Sequence, residues 1–260
     1  MIAFVRASVF DARKIFSRRS FWVVAFLIVV VQPLFAFLEA GQIADIGVNA
    51  TPETHPELVE ALPPVAFMGF DVMAFGDAVI VVFGALLGVS EYQDRELRVT
   101  FLAVGRRPVM LVCKIATNVG VVAVLAAVGN YVTLVLTHVG LGSQGLNPFT
   151  LARETWGALG SVVLTWIVFA LVSCAIAVIT KRWLVALLLM VPQAVGLGDA
   201  FAASWSPARY LPVAAGHCLS ALPGDECGWQ PSASVALIVT TALLLSVAGM
   251  LFVRRDVGSR

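Results

Sequence analysis

The chain has 260 residues, 60% of them hydrophobic and only 13% charged, with 17 basic and 16 acidic side chains. Soluble domains carry about 25% charged residues, so this composition, with a mean hydropathy of +0.93, excludes an ordinary soluble domain and defines a polytopic membrane protein. The near-zero net charge hides an uneven distribution along the chain, and in a membrane protein that distribution sets orientation.

Residues 2–19 read as a helix with Ile2, Val5, Val9, Ala12 and Phe16 on one face and Arg6, Arg13, Lys14 and Arg18 at its sides and back. That pattern predicts an amphipathic helix over 1–20 lying in the membrane interface. The apolar run 21–38 has 18 residues, longer than the roughly 7–15 of a signal-peptide core, and residues 36–40 make a poor cleavage site. It is expected to be retained as the first span, with Pro33 kinking its far end. Residues 39–66 follow with five acidic side chains, four prolines and no Lys or Arg.

Further spans are expected at 73–90, 109–138, 153–179, 183–199 and 234–253, since about 20 apolar residues cross the roughly 30 Å of hydrocarbon. Pro108 suits the first turn of the third, where its missing N–H costs nothing. Six spans place both termini on one side. On that side fall fifteen of the 17 basic residues, leaving only Arg153 and Arg209 opposite. The positive-inside rule makes this face cytoplasmic, so the expected location is the cell membrane with both termini inside.

Residues 200–233 are too apolar for a freely solvated loop, with Trp205, Tyr210, Leu211 and Leu222, while Pro207, Pro212, Pro223 and Gly224 forbid one continuous helix. Short re-entrant pieces packed against other helices are expected before the last span. Cys218 and Cys227 share this external loop and read as a disulfide in an oxidising compartment. Cys113 and Cys174 fall inside spans and read as small buried apolar residues.

No phosphate-binding GxxxxGK[ST] loop, HExxH pair or GxSxG elbow occurs, and His55, His138 and His217 are far apart in sequence. No catalytic residue and no metal site is therefore expected, and the chain is not expected to be an enzyme. Gly84 and Gly88 form a GxxxG pair that permits close helix approach. Asn130, Thr133 and Thr137 share one face of the third span, with Asn118 a few turns earlier. Such residues either line a substrate route or make interhelical hydrogen bonds. Asp71 and Asp77 read as exposed near the outer end of the second span.

The most informative surface is the charged segment between spans two and three. Glu91 to Arg98 can continue the second span as a helix, and Leu97, Phe101, Leu102 and Val104 then offer apolar side chains amid charge. A plain interface-dipping loop is the alternative. A short helix with apolar knobs suits a membrane subunit that receives a push from a soluble partner, because apolar contacts anchor while charges set register.

The order Glu91-Tyr92, Arg98, Thr100, Ala103-Val104, Arg106-Arg107 and Lys114 resembles the coupling region of ABC-2 type transporter permeases, especially their actinobacterial group. Tyr210-Leu211-Pro212 with Ala215-Gly216, and Arg254-Arg255-Asp256 after the last span, agree with it. The chain departs from the pattern at Arg95 and Glu96, and at Gly105, where the family has proline.

The resemblance implies an all-α integral membrane fold of the ABC-2 exporter type. Its parts would be six transmembrane helices, an N-terminal interfacial helix, a cytoplasmic coupling helix between spans 2 and 3, and a re-entrant external segment before span 6. It implies a permease subunit whose pathway forms with a second copy or a related permease, contacting membrane lipid and no nucleic acid. Two separate ABC ATPase subunits would bind from the cytoplasm and hold ATP and Mg, with no cofactor on this chain. Glu91, Leu97, Arg98, Phe101, Arg106, Arg107 and Lys114 would form the coupling region. A membrane scaffold or ion-conducting pore without an ATPase is the alternative reading.

Overall fold

The computed structural model describes residues 2–56, 58, 61–90, 107–222, 227 and 230–254. These form helices and connecting turns, with no strand among the described residues. Helix α1 covers Ile2–Ser17. Six further helices are long and apolar enough to cross a membrane: α2 (Arg19–Ile46), α3 (Phe70–Val89), α4 (Arg107–Gly140), α5 (Arg153–Thr180), α6 (Trp183–Ser204) and α8 (Gln230–Arg254). The short α7 (Pro212–Leu219) stands between the last two. The chain is thus an all-helical, multi-pass membrane protein.

Two spans depart from regular α-geometry, each beside a proline. In α2 the turn Leu27–Val31 widens into a π-turn. Pro33 lacks an N–H and its ring crowds the carbonyl four residues back, so the extra residue per turn absorbs the mismatch. The helix then runs on to Ile46, past the expected end at 38, and stops at Gly47, whose φ of 95° lets its N–H cap the Ile43 carbonyl. In α6 the segment after Pro192 loses helical geometry at Val195 and Gly196, where Gly196 takes φ 102°. Beyond that break α6 continues to Ser204, and residues 198–222 form short helical pieces instead of one rod.

At the centre of the bundle lies α3, with 67% of its most apolar stretch buried, against 22% for α6 and for α8. The peripheral helices turn Trp22, Leu188, Ile238 and Leu243 outward. Exposed apolar faces of this extent suit lipid as the surrounding solvent.

The main seam joins α3 to α5. A Cβ at Gly84 would overlap the carbonyl of Ala170, and one at Gly88 would overlap that of Cys174. The GxxxG pair therefore brings two backbones together, which is how helices gain dispersion contact in lipid, where the hydrophobic effect between them is absent. Ser173 Oγ donates to the Val81 carbonyl at 2.7 Å across the same seam. Further toward the other end of α3, Gly76 leaves room for the fully buried Trp166 ring of α5.

Gly84→Val and Gly88→Val should each lower the thermal unfolding midpoint of the detergent-solubilised chain, since overpacking costs about 1–3 kcal/mol or more. Gly120→Ala, facing open space, should leave the midpoint unchanged or raise it slightly. Equal midpoints for all three variants would remove the seam from the account.

Candidate functional site

At the bundle end that carries the N- and C-terminal helices, α1 packs across the start of α4 and closes one wall of a cavity of about 70 Å³. The cavity is walled by Leu87 and Gly88 of α3, Leu111 and Asn118 of α4, Cys174 of α5 and Leu245 and Phe252 of α8. Its polar rim comes from Asp11 and Lys14 of α1, Arg18 just after that helix, Ser90 at the end of α3, and Lys114.

A salt bridge links Asp11 to Lys114 Nζ at 3.5 Å, with side-chain exposures of only 9% and 12%. A carboxylate at that depth must be paired, because an isolated buried charge costs several kcal/mol. The pair pins the amphipathic helix to α4. Ile15 adds an apolar contact beside it, buried in the main core with Phe21 and Val24.

Of the residues marked by the family resemblance, Lys114 is therefore placed against α1, and Arg107 opens α4. Glu91, Leu97, Arg98, Phe101 and Arg106 lie outside the described residues. The segment that carries them leaves α3 at Ser90, on the cavity rim, and returns at the start of α4.

Asn118, Asn130, Thr133 and Thr137 of α4 separate into two groups. Asn118 lines the cavity and points its Nδ2 at Cys174 Sγ, 3.9 Å away. Asn130 and Thr133 instead face α2, where Gln32 Nε2 donates to Asn130 Oδ1 and to Thr133 Oγ1, both at 3.0 Å. Thr133 and Thr137 pass their own hydroxyl protons to the carbonyls of Gly129 and Thr133. All of Gln32, Asn130 and Thr133 have no solvent exposure. Here the hydrogen-bonding role describes the geometry.

A third polar cluster was not apparent in the sequence. His217 of α7 points Nε2 at Asp77 Oδ2 of α3 at 3.1 Å and Nδ1 at Asp199 Oδ2 of α6 at 2.7 Å. Asp77 is 5% exposed, so it does not face the interface as its position near a span end implied. Seating of α7 against α5 brings this about: Gly216 packs on the Phe169 ring and Thr165, and Thr165 Oγ1 donates to the Gly216 carbonyl. The three residues are 140 and 18 positions apart in sequence. Two aspartates inside apolar spans were the available signal, but nothing in the sequence paired them with His217.

His217 lies outside the six spans. Burial alone would pull its pKa down; hydrogen bonds and charge from Asp199 and Asp77 outweigh that and push it up to about 10.

Cys227 is joined to Cys218 of α7 by a disulfide, with Cα atoms 5.5 Å apart. Among the described residues no group of three or more His, Cys, Asp or Glu side chains is arranged to hold a metal ion.

What the fold and these sites define is a multi-pass helical membrane protein with polar clusters toward both ends of its central helix. No protein-family model matches the chain, and no curated protein matches it.

Lys114→Met should destabilise the fold by about 1–3 kcal/mol, because it takes an ammonium away from the buried Asp11 carboxylate. Adding Asp11→Asn should recover much of that loss. Thermal unfolding of the single and double variants checks this; strictly additive losses would show that the two side chains are not coupled.

Proposed function

We propose that this chain is the transmembrane permease subunit of an ATP-driven ABC exporter, working as a dimer with separate ATPase subunits. One observation carries the reading. The charged segment 91–107, with its family-like order of residues, connects α3 to α4 at the bundle end where α1 is clamped to α4 through Lys114. A soluble subunit gripping Leu97 and Phe101 would thereby hold the junction of α3 and α4 directly, with α1 attached to it.

The rest of the molecule supports a transport role. By the order of the spans, fifteen of the 17 basic residues belong to segments on that side, which supports a cytoplasmic assignment by the positive-inside rule. The disulfide lies toward the other end, as expected for an oxidising exterior. α7 and the turn before it would serve as the re-entrant segment before the last span. Val9, Ala12 and Phe16 of α1 wall an apolar groove with Val121, Val124 and Val128 of α4, suited to lipid acyl chains beside an interfacial helix. The chain carries no phosphate-binding loop of the GxxxxGK[ST] type, so hydrolysis falls to a partner. Export is the direction typical of the family resembled, and the apolar spans suit an amphipathic or lipophilic cargo.

Gentle solubilisation of the tagged chain from its native membrane should bring down an ATPase subunit at about equal stoichiometry. Leu97→Asp with Phe101→Asp should abolish that association while membrane insertion persists. Intact chain recovered repeatedly with no ATPase, or an unchanged complex with the double variant, would favour a scaffold or pore. On intact cells, an impermeant maleimide should label Cys218 and Cys227 only after reduction; labelling confined to broken cells would reverse the orientation.

A further inference from the structure

We propose that Asp77, His217 and Asp199 form a proton-binding site whose occupancy holds α7 clamped between α3 and α6. The inference stands apart from the ATPase reading, since it uses only the geometry of the cluster.

Proton counting is the first step. Both ring nitrogens of His217 sit within hydrogen-bond distance of a carboxylate oxygen, at 2.7 and 3.1 Å. An ionised carboxylate only accepts, and a neutral imidazole carries a single N–H. With both aspartates ionised, two such contacts require two protons on the ring, an imidazolium bridging two carboxylates; a protonated Asp77 would instead donate to a neutral ring, which keeps the bound proton within the same cluster. Losing one proton to solvent leaves a neutral ring that donates to one aspartate and turns a lone pair toward the other. One of the two ties then becomes a repulsion.

The second step is position. Asp77 is buried on the central helix, while the Asp199 side chain is 52% exposed and that of His217 24%. Asp199 and His217 are thus the members of the cluster open at the protein surface, and Asp77 is the enclosed one. Other charge near the cluster is sparse among the described residues. From α5 it meets Trp166, Phe169 and Thr165; α8 has no titratable group between 231 and 252. Arg209, on the turn before α7, directs Nε to the Ala202 carbonyl at 3.4 Å. The protonated ring is accordingly the cation that faces both Asp77 and Asp199 here, and it offsets one of their two negative charges.

The third step is what the site holds. α7 has only eight residues, too short to be a stable helix alone, so its place depends on tertiary ties. The disulfide and the Thr165 bond are two of these, and the His217 bridge is the one that protonation state can switch. Since the folded pKa lies above the ordinary value of 6.5, the clamp contributes fully below about pH 6.5. It fades as pH rises through about 10.

The full chain, labelled with ¹⁵N-histidine and placed in lipid nanodiscs, provides the test. His55→Gln and His138→Gln assign the remaining signal to His217. Expected is a ring with both nitrogens protonated at pH 8, titrating towards pH 10, and in Asp77→Asn a titration moved down by a unit or more. Thermal unfolding should place His217→Gln about 3–10 °C below the unmutated chain at pH 6, with the gap closing by about pH 10.5. A ring that is neutral at pH 8, or a gap that does not change with pH, would overturn the proposal. If His217→Gln does not fold, the titration of the unmutated chain decides alone.

Discussion

The close approach of α3 and α5 is the contact on which the rest of the structure depends. In lipid, apolar side chains gain little by leaving their solvent, so two helices hold together only where their surfaces fit or their polar groups bond. Gly84 and Gly88 supply the fit by letting α3 rest on the carbonyls of Ala170 and Cys174, and Ser173 supplies a bond to Val81. With α3 fixed in the middle, each of its two ends brings charged side chains against the apolar bundle. Asp77 and Ser90 sit 13 residues apart on one helix, about 20 Å at 1.5 Å per residue, and each belongs to a separate polar site.

Around that centre the peripheral elements are held by specific polar ties. Gln32 links α2 to Asn130 and Thr133 of α4, Asp11 links α1 to Lys114, and His217 links α7 to α3 and α6. A hydrogen bond or ion pair has a preferred direction and partner, so it fixes register where a greasy surface alone would slide. Removing either partner costs a buried polar group one of its bonds, which makes these few residues sensitive to substitution.

The departures from regular helix serve the same arrangement. The π-turn before Pro33 lets α2 carry on as a single rod to Ile46, keeping Gln32 aimed at α4. The break at Val195 and Gly196 does the opposite for α6. It redirects the helix so that Asp199 meets His217, and the chain then folds back through short pieces to seat α7 on Phe169. One proline is absorbed and the other exploited, and the difference lies in the glycine that follows the second.

Composition and periodicity by themselves determined that this is a helical membrane protein with six spans, because length and hydropathy are summed along the chain and need no partner to be read. The glycine pair at 84 and 88 was legible for the same reason, being a local spacing on one helix face. Only the tertiary structure decided which polar residues meet. Asp77 looked like an exposed residue near a span end until α7 folded over it, and Asn130 and Thr133 looked equally suited to a water path until Gln32 turned toward them. Lys114 carried a family-like position, but its link to Asp11 depends on where α1 comes to rest. Contacts of this kind join residues as many as 140 positions apart, and the packing of the helices, which no local pattern encodes, brings them within a hydrogen bond's reach.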